Sequence, residues 1–405
     1  MTESALHAVE VVPAGSLTDV DEGEWDSLVG DDEFYASHAW LRSIEQETDM
    51  EARYLLARSG DGKLVGALPT YFWDGGGPAA TTSHYDPFNL FCEGLPPERR
   101  DAWLPQLLLG TRAGFLNAVL VDRDLAPEER AGALRRLVDA AVALADERGA
   151  GTAAMMYLTP EMLAEAAPAF GGRARALRSS AEVSISVEWA SFDEYLRSLS
   201  SKRRGTARRD VRQFADSGLT VSVERLGACI DRASVLLAAV DEKYDTGATS
   251  EDERAYLAAQ VELLDDRSVV FAARAGEEIV GICLLYRWRD ALYGRSVGFD
   301  YDKLGDDRAY ATLSFYEPIR YAIDEGIRRI HLGTGSWEAK LLRGGELTPL
   351  WSLVRPPDDL AADVERSLDG WNDTNYRWWI DNVGRLKPEL PDETWIAPGR
   401  EPPAR

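Results

Sequence analysis

The sequence predicts a mixed α/β (α+β) protein of two similar units, each with a mostly antiparallel sheet flanked by helices, followed by a C-terminal helical tail. Three observations predict this class. The length of 405 residues is more than a single domain usually contains. A pattern of two apolar strands around a Gly-containing turn occurs twice, and a pattern of amphipathic helix, glycine and apolar strand follows it both times.

The two predicted hairpins have similar sequences. Residues 54–72 read YLLARSGDGKLVGALPTYF and residues 270–287 read VFAARAGEEIVGICLLYR. The helix-to-strand pattern follows in the same order at residues 137–158 and 316–335, with a longer insertion in the first copy. This shared order favours a duplicated unit over two unrelated hairpins that look alike.

The ends of the repeated patterns place the first unit at residues 1–185, the second at 186–355 and the tail at 356–405. The second unit is expected to open with a strand at 182–188 and helices near 192–216. Its further strands are expected near 219–224, 268–274, 278–287, 291–298 and 328–332, with a helix at 308–325 and a strand at 349–354 that completes the sheet. A proline pair at 356–357 ends this unit, and residues 358–383 follow as a helix.

Composition and charge narrow the function classes. The 45 Lys and Arg residues against 69 Asp and Glu residues give a net charge of −24, which argues against a general DNA-binding protein. No apolar run reaches the roughly 18 residues of a membrane span, and the start lacks a secretory signal pattern. Cys92, Cys229 and Cys283 form no CxxC pair, and the four histidines have no metal-ligand spacing. We therefore expect a cytoplasmic protein without disulfides, metal or membrane contact, and the oligomeric state stays open.

A basic segment stands out in this acidic chain. Residues 201–214 read SKRRGTARRDVRQF, in which Asp210 is the one anion. The six cations are Lys202, Arg203, Arg204, Arg208, Arg209 and Arg212. On a helix capped by a serine at 200 or 201, the arginines at 204, 208 and 212 lie on one face. That face predicts phosphate binding; a solvated helix surface is the alternative.

A Gly-rich turn forms the second candidate site. Residues 333–346 read GTGSWEAKLLRGGE, directly after a strand-like run. Gly333 and Gly335 would offer backbone N–H groups to an oxyanion or phosphate, and Lys340 and Arg343 are close enough in sequence to act on one anionic group. The alternative is a glycine turn with two surface cations. No GxxxxGK[ST] pattern occurs, so ATP hydrolysis is not predicted.

The helix at 308–325 and the loop SHYDPFNLF at 83–91 supply further candidates. The first turn of the helix, from Arg308, is expected to present N–H groups to a phosphate or carboxylate. Glu317 precedes Pro318, which removes a backbone hydrogen bond and predicts a kink. The remaining candidates are Tyr310 and Tyr316, as core aromatics or substrate contacts, and Tyr85 and Asp86, as cleft or loop residues.

Tryptophans are concentrated in the tail. Trp371, Trp378 and Trp379 are expected to pack on the preceding domain rather than to form a binding platform. A serine-hydrolase GxSxG motif does not occur.

Together, the repeated unit, the SKRRxxxRRxxR segment and the GTGSWEAKLLRGG turn resemble the tandem-GNAT branch of acyltransferases. This branch includes the Fem-type peptidoglycan aminoacyltransferases and their actinobacterial natural-product relatives. The resemblance covers most of residues 30–355 and matches Phe315, Tyr316, Glu317, Ala322, Gly326, Gly333, Gly335, Lys340, Arg343 and Gly344. It implies two tandem GNAT-like domains, a Lys340 that contacts a phosphorylated substrate in an inter-domain cleft, and phosphate contacts for Arg204 and Arg208.

These observations lead us to expect an N-acyltransferase of natural-product or cell-wall biosynthesis that forms an amide on a small-molecule amine, without a tightly bound cofactor. The string RAYATL at 308 lacks the glycines of a CoA-binding loop, and clustered cations suit a polyphosphate backbone, so aminoacyl-tRNA is favoured over acyl-CoA as co-substrate. The alternatives are an acyl-CoA-dependent N-acetyltransferase and a catalytically inactive GNAT-like binding module.

The expected site has three groups of residues. The catalytic group is Lys340, Glu317 and Asp86, of which Glu317 or Asp86 is the expected proton acceptor. The substrate-binding group is Arg343, Gly333, Gly335, Tyr316, Tyr310 and Tyr85. The carrier-binding group is Lys202, Arg203, Arg204, Arg208, Arg212 and Arg308.

Overall fold

The structure is a computed structural model that describes residues 9–45, 50–76, 83–243, 248–304, 308–387 and 391–396. The chain divides into two compact units. Unit 1 consists of Met1–Ala181 and Thr348–Arg405, and unit 2 consists of Glu182–Leu347. The tail that we separated at residue 356 therefore groups with unit 1, and the boundary between the units falls inside a strand, a few residues before 185.

The described residues form thirteen strands. In chain order they are β1 Glu10–Ala14, β2 Glu51–Arg58, β3 Leu64–Trp73, β4 Gln106–Leu109, β5 Leu120–Val121, β6 Thr152–Leu158, β7 Arg175–Ser186, β8 Thr220–Glu224, β9 Ser268–Ala275, β10 Glu278–Trp288, β11 Ala291–Phe299, β12 Arg329–His331 and β13 Glu346–Arg355.

Helices surround the strands of each unit. Unit 1 contains Glu22–Asp26, His38–Glu45, Pro87–Phe91, Pro127–Glu147, Pro160–Phe170 and Ala362–Val383, with short 3₁₀ turns at Leu17–Asp19, Phe34–Ala36, Ser83–Tyr85, Pro97–Trp103 and Asp392–Trp395. Unit 2 contains Phe192–Ser198, Ser201–Asp216, Leu226–Lys243, Ser250–Leu264, Tyr301–Leu304, Arg308–Ala311, a π-helical turn at Thr312–Tyr316, Glu317–Asp324 and Trp337–Leu341, with a 3₁₀ turn at Asp265–Arg267. None of the described helices is both long enough and apolar enough to span a membrane.

Strand order is the same in the two units, which confirms the predicted fold class. Unit 1 has the order β1-β2-β3-β4-β6-β13, and unit 2 has the order β8-β9-β10-β11-β12-β7. In both units the fourth and fifth strands are parallel and the preceding neighbours are antiparallel. Each unit is thus a mostly antiparallel sheet with one parallel pair, as the repeated sequence pattern indicates.

One strand assignment was wrong. We expected residues 349–354 to complete the sheet of the second unit, but β13 pairs with β6 in unit 1, where Leu353 lies opposite Met155. The position beside β12 is held by the end of β7, where Ser184 pairs with His331. Because β7 already occupies that edge, β13 has no place there.

Equivalent glycines explain why the two hairpins have the same sequence pattern. Gly66 pairs with Ala57, and Gly281 pairs with Ala273. A Cβ atom on Gly66 would lie 3.1 Å from a methyl group of Leu137, and one on Gly281 would lie 3.1 Å from the Phe299 ring. Each glycine therefore leaves room for apolar side chains that pack on the second strand of its hairpin.

The helices of the two helix-to-strand repeats end in the same type of C-cap. Gly149 has φ +64° and Gly326 has φ +66°, and the next residue in each case donates its N–H to the carbonyl five residues earlier at 2.8 Å. This is the left-handed cap that glycine forms at low cost. No atom lies within 4 Å of a Cβ built on either glycine, so only backbone conformation demands glycine here.

We expect Gly149→Ala and Gly326→Ala each to lower the free energy of unfolding by about 1 kcal/mol, since alanine is strained in the left-handed region. Gly132→Ala is the matched control, because Gly132 lies inside the helix Pro127–Glu147 with negative φ and open space around its Cβ position. That control should stabilise the protein by about 0.5–1 kcal/mol. Urea unfolding of the three variants measures the difference, and equal effects of all three would contradict the shared cap.

The tail helix Ala362–Val383 packs on unit 1. Trp371 donates its indole N–H to the carbonyl of Arg178 at 2.7 Å, and Trp379 stacks on Trp395 with ring centroids 4.7 Å apart. Trp378 is exposed. The packing interpretation therefore holds for Trp371, whereas the stacking partner of Trp379 belongs to the tail itself.

Candidate active site

The basic segment forms the helix Ser201–Asp216 in unit 2. Ser200 caps it, with its hydroxyl oxygen 3.5 Å from the N–H of Arg203. Ala207 and Phe214, two turns apart, are the buried residues of this helix, so one stripe docks on the unit and the charged residues spread over the rest. The local sequence thus produces the helix that the pattern predicts.

The structure gives the cations of this helix different roles. Arg204 donates to the carbonyls of Arg197 and Leu199, which fixes the end of the preceding helix. Lys202, Arg208 and Arg212 are exposed, and Arg203 is half-buried. The side chain of Arg308 lies outside the described residues. Within those residues Arg208 and Arg212 form no ion pair or hydrogen bond through their side chains.

Three arginines line an open groove of about 540 Å³ in unit 2. Arg208 and Arg212 come from the basic helix, and Arg320 comes from the helix Glu317–Asp324. The guanidinium of Arg320 lies 3.6 Å from the centre of the Phe192 ring and 3.4 Å from the carboxylate of Glu317. Asp193 is the one acidic residue of the groove lining. The groove therefore concentrates positive charge in an acidic protein, as an anion site requires.

Glu317 forms an ion pair with Arg320, which lines the groove. Burial raises the pKa of the Glu317 carboxyl, and the nearby Arg320 guanidinium opposes that rise. The helix around it is irregular, because a π-helical turn at Thr312–Tyr316 directly precedes Pro318. Such turns are frequent at functional sites. Pro318 lies at the start of the helix Glu317–Asp324, and the predicted kink at this residue stays a prediction.

Lys340 is buried and reaches back over the Gly-rich turn. Its ammonium group donates to the carbonyl of Leu332 at 2.6 Å and to that of Gly333 at 2.9 Å. Burial lowers the pKa of Lys340 to about 8, although the Glu182 carboxylate acts in the opposite direction. Gly333 has φ +73°, and open space surrounds the Cβ positions of Gly333 and Gly335. In the described part of the chain, the N–H groups of residues 333–335 have no acceptor.

Asp210 links the basic helix to the Gly-rich turn. Its carboxylate accepts from the Tyr316 hydroxyl at 2.8 Å and from Arg343 at 3.3 Å. Arg343 also donates to the carbonyl of Ala339 at 3.0 Å, and its own carbonyl accepts from the Tyr195 hydroxyl at 3.1 Å. The single anion of the basic segment is therefore the residue that joins the two predicted motifs.

A buried histidine and carboxylate escaped the sequence analysis. Nδ1 of His331 lies 2.6 Å from Oε1 of Glu182, and the imidazole stacks on Tyr293 with centroids 4.3 Å apart and planes within 10°. His331 and Glu182 are 5% and 7% exposed. They are 149 residues apart in sequence, so no local pattern could pair them. His331 lies two residues before Gly333, directly before the Gly-rich turn.

A second polar cluster lies along β11 and the helix Ser250–Leu264. Arg295, at a bulge of β11, donates from Nε to the Tyr256 hydroxyl at 3.1 Å. Burial and the neighbouring Asp241 raise the pKa of the Glu253 carboxyl, while Arg295 opposes the rise. Bulges beside polar clusters are common near active sites.

The unit 1 candidates have structural roles. One oxygen of Asp86 caps the helix Pro87–Phe91, and the other accepts from Arg100 at 2.5 Å. The Tyr85 hydroxyl accepts from the N–H groups of Gly114 and Phe115. Since both oxygens of Asp86 are engaged, we do not retain it as the proton acceptor. In unit 2, Tyr310 contacts the rings of Phe299 and Phe315, as a core aromatic does.

Among the residues that the structure describes, no group of three His, Cys, Asp or Glu side chains is placed to hold a metal ion.

Solved structures with the same fold are similar to this chain over most of its length. FemX has a TM-score of 0.56 at 13% identity, covering 83% of this chain and 96% of its own. A conserved protein of unknown function from Bacteroides thetaiotaomicron VPI-5482 has a TM-score of 0.52 at 15% identity, covering 86% and 99%. The C-terminal DUF2156 domain of a putative lysylphosphatidylglycerol synthetase from Agrobacterium fabrum has a TM-score of 0.51 at 14% identity, covering 87% and 96%. At these identities the likeness shows the fold.

Sequence comparison gives the family. No curated protein matches the chain. A family model named FemAB-like, described as peptidoglycan biosynthesis/recognition, matches residues 120–372. The expectation of a Fem-type acyltransferase is confirmed at the level of the family. Because the matched segment is more than half of the chain, this protein belongs to the FemAB-like family.

Proposed function

We propose that the protein is a cytoplasmic N-acyltransferase that moves an aminoacyl group from aminoacyl-tRNA to the amine of a small-molecule acceptor. The observation that carries this proposal is the groove lined by Arg208, Arg212 and Arg320, two of which lack an acidic partner among the described residues. Guanidinium groups grouped in this way suit the phosphates of a carrier. The family's description supports an acceptor among cell-wall precursors.

The reaction sets three requirements. The amine nitrogen forms a bond to the carbonyl carbon, the ester bond to the carrier breaks, and the oxygen that leaves takes up a proton. The enzyme must hold both substrates together, stabilise the negative charge on the carbonyl oxygen and accept a proton from the amine. In this proposal the arginine groove holds the carrier, and the N–H groups at 333–335 face the oxyanion.

Lys340 and Arg343 support that turn in different ways. The ammonium of Lys340 fixes the carbonyls of Leu332 and Gly333 and places a positive charge beside the N–H groups of the turn. Arg343 is already engaged by Asp210 and by the carbonyl of Ala339, so in this proposal it positions the turn. Lys340 therefore acts on the start of the Gly-rich segment and Arg343 on its end, and in this proposal the two contacts hold the N–H groups in place for the oxyanion.

The donor is identified by calorimetric titration of the protein with bulk aminoacyl-tRNA, with acetyl-CoA and with longer acyl-CoAs, at low and physiological salt. We expect saturable binding of charged tRNA that weakens steeply with salt, since phosphate contacts release counterions. Saturable binding of an acyl-CoA without tRNA binding would replace the donor and make the protein an acyl-CoA-dependent N-acyltransferase. Binding of neither would favour a binding module without catalysis.

A further inference from the structure

Arg320 offers a flat surface to the arginine-lined groove. Its Cζ atom lies 3.6 Å from the centre of the Phe192 ring, so that ring covers one face of the guanidinium. The carboxylate of Glu317, 3.4 Å from Nε, lies at one edge. The Arg320 side chain is nevertheless 37% exposed, and it lines the groove together with Phe192. The face opposite Phe192 is therefore the part that a ligand in the groove contacts.

The helix face that lines the groove is half basic and half apolar. Its residues follow the spacing i, i+3, i+4, i+7, which places side chains on one side of the helix Ser201–Asp216. They are Arg208, Val211, Arg212 and Ala215. A bare phosphate would need the cations alone. The apolar positions between the cations suit a ligand that also carries an uncharged ring.

Asp193 gives a second indication of the chemistry of the ligand. It is exposed, and among the described residues that line the groove it is the one carboxylate, which would repel a ligand made only of phosphate groups. An ionised carboxylate accepts hydrogen bonds, and the hydroxyl groups of a ribose or the amino group of a base donate them. The lining thus combines cations for an anion, a flat surface for a ring and an acceptor for hydroxyl or amino groups.

Side chains connect the groove to the Gly-rich turn. The rings of Phe192 and Tyr316 meet edge to face, with centroids 6.1 Å apart. The Tyr316 hydroxyl donates to Asp210 at 2.8 Å, and the same carboxylate accepts from Arg343 at 3.3 Å. A ligand stacked on Arg320 would therefore contact the same connected set of side chains as the turn at which we place the oxyanion.

We propose that the groove binds one unpaired nucleotide of the carrier, with its base stacked on the outer face of the Arg320 guanidinium and its phosphate on Arg208 and Arg212. This inference rests on the proposed function and deepens it. Unpaired bases of RNA stack on guanidinium planes as well as on aromatic rings, whereas a base inside a duplex is already stacked on its neighbours. The carrier is then recognised by its single-stranded end, close to the acyl group, rather than by a double-stranded stem.

Calorimetric titration with short RNAs tests the stack. The probes are a single strand ending in CCA, as the unpaired 3′ end of tRNA does, and the same strand with one base at a time replaced by an abasic residue that keeps every phosphate. Removal of one of these bases should weaken binding to the wild type by about 5- to 150-fold, the range for one stacked base. A blunt RNA duplex with the same number of phosphates should bind more weakly than the single strand.

Arg320→Lys separates stacking from charge, because lysine keeps the positive charge beside Glu317 but has no flat face. It should weaken binding of the complete RNA by about the same factor as base removal does. It should not weaken binding of the RNA that lacks the stacked base any further, and this retained binding also shows that the variant is folded. The slope of log Kd against log salt should stay unchanged, since no charge is lost.

Arg287→Lys is the matched control for this variant. Arg287 is 39% exposed and pairs with Glu325 at 3.0 Å, much as Arg320 pairs with Glu317, but it does not line the groove. The control should leave the affinity for every probe unchanged.

The outcomes separate this inference from the proposed function. If removal of no base changes the affinity, or if Arg320→Lys weakens binding of the complete and the abasic RNA equally, the stacking proposal is wrong. If the RNA binds as predicted but no acyl group is transferred from tRNA, the proposed function fails and the nucleotide site remains. CoA contains the same nucleotide chemistry, so binding of CoA in place of RNA, weakened by Arg320→Lys, would retain the nucleotide site and replace the donor.

Discussion

Replacing Lys340 by methionine should lower the rate of acyl transfer by at least about 100-fold, in the range found when one oxyanion-stabilising group is removed. Methionine keeps much of the aliphatic volume but loses the ammonium that donates to the carbonyls of Leu332 and Gly333. The turn would then lose the two hydrogen bonds from the ammonium group and the positive charge beside it. Single-turnover transfer measures the effect.

Lys63→Met is the control for this variant, because Lys63 is exposed and pairs with Asp122 in unit 1. It should leave the rate unchanged. If Lys340→Met remains folded and transfers at the wild-type rate, Lys340 has no part in catalysis.

The pH dependence of kcat is a second test of the role of Lys340. Its pKa is about 8 in the folded protein against 10.5 in the unfolded chain. If the charged form is required, kcat falls as pH rises through about 8. Between pH 8 and 10 the unfolded chain binds more protons at this residue than the folded protein does, so this group raises stability with pH. The loss of activity should therefore occur without unfolding, which circular dichroism at the same pH checks.

Replacing Arg208 and Arg212 together by alanine should weaken binding of charged tRNA by roughly 10- to 100-fold at low salt. The slope of log Kd against log salt should also become shallower, since each lost contact with a single strand removes about 0.7 from it. Both guanidiniums line the groove and have no partner in the described residues, so folding should not depend on them.

Arg209→Ala is the matched control for the groove. Arg209 lies on the same helix and is also exposed, but it is not part of the groove lining. It should change the affinity and the salt slope far less than the double variant does. Equal effects of the two variants would mean that the helix acts as a diffuse positive surface and that the groove is not the carrier site.

Much of the fold could be predicted from local sequence. The repeated hairpins depend on Gly66 and Gly281, and the repeated caps depend on Gly149 and Gly326, where a conformation or a close contact excludes a side chain. Such requirements act within a few residues and leave a visible pattern. The pairing of β13 with β6 depends instead on a partner strand that is remote in sequence, and the residues of β13 do not record which edge it joins.

The sequence predicted those parts of the candidate site whose residues lie in one continuous segment. The basic helix and the Gly-rich turn were visible, but their link through Asp210 was not, because an acidic residue among six cations looks like an ordinary surface partner. The pairing of Glu182 with His331 joins residues 149 apart. Asp86 is a different case: its carboxylate caps a helix, and the residue type that caps a helix can also serve as a catalytic carboxylate, so the sequence alone does not separate the two roles.

The most direct test of the account is a single-turnover reaction of the full-length protein with tRNA carrying a labelled amino acid and a panel of amine-bearing cell-wall precursors. We predict that the label moves to the amine nitrogen as an amide, that prior RNase treatment of the donor abolishes the transfer, and that Lys340→Met slows it. Transfer from acyl-CoA that is indifferent to RNase, or no transfer to any amine from either donor, would contradict the proposed function.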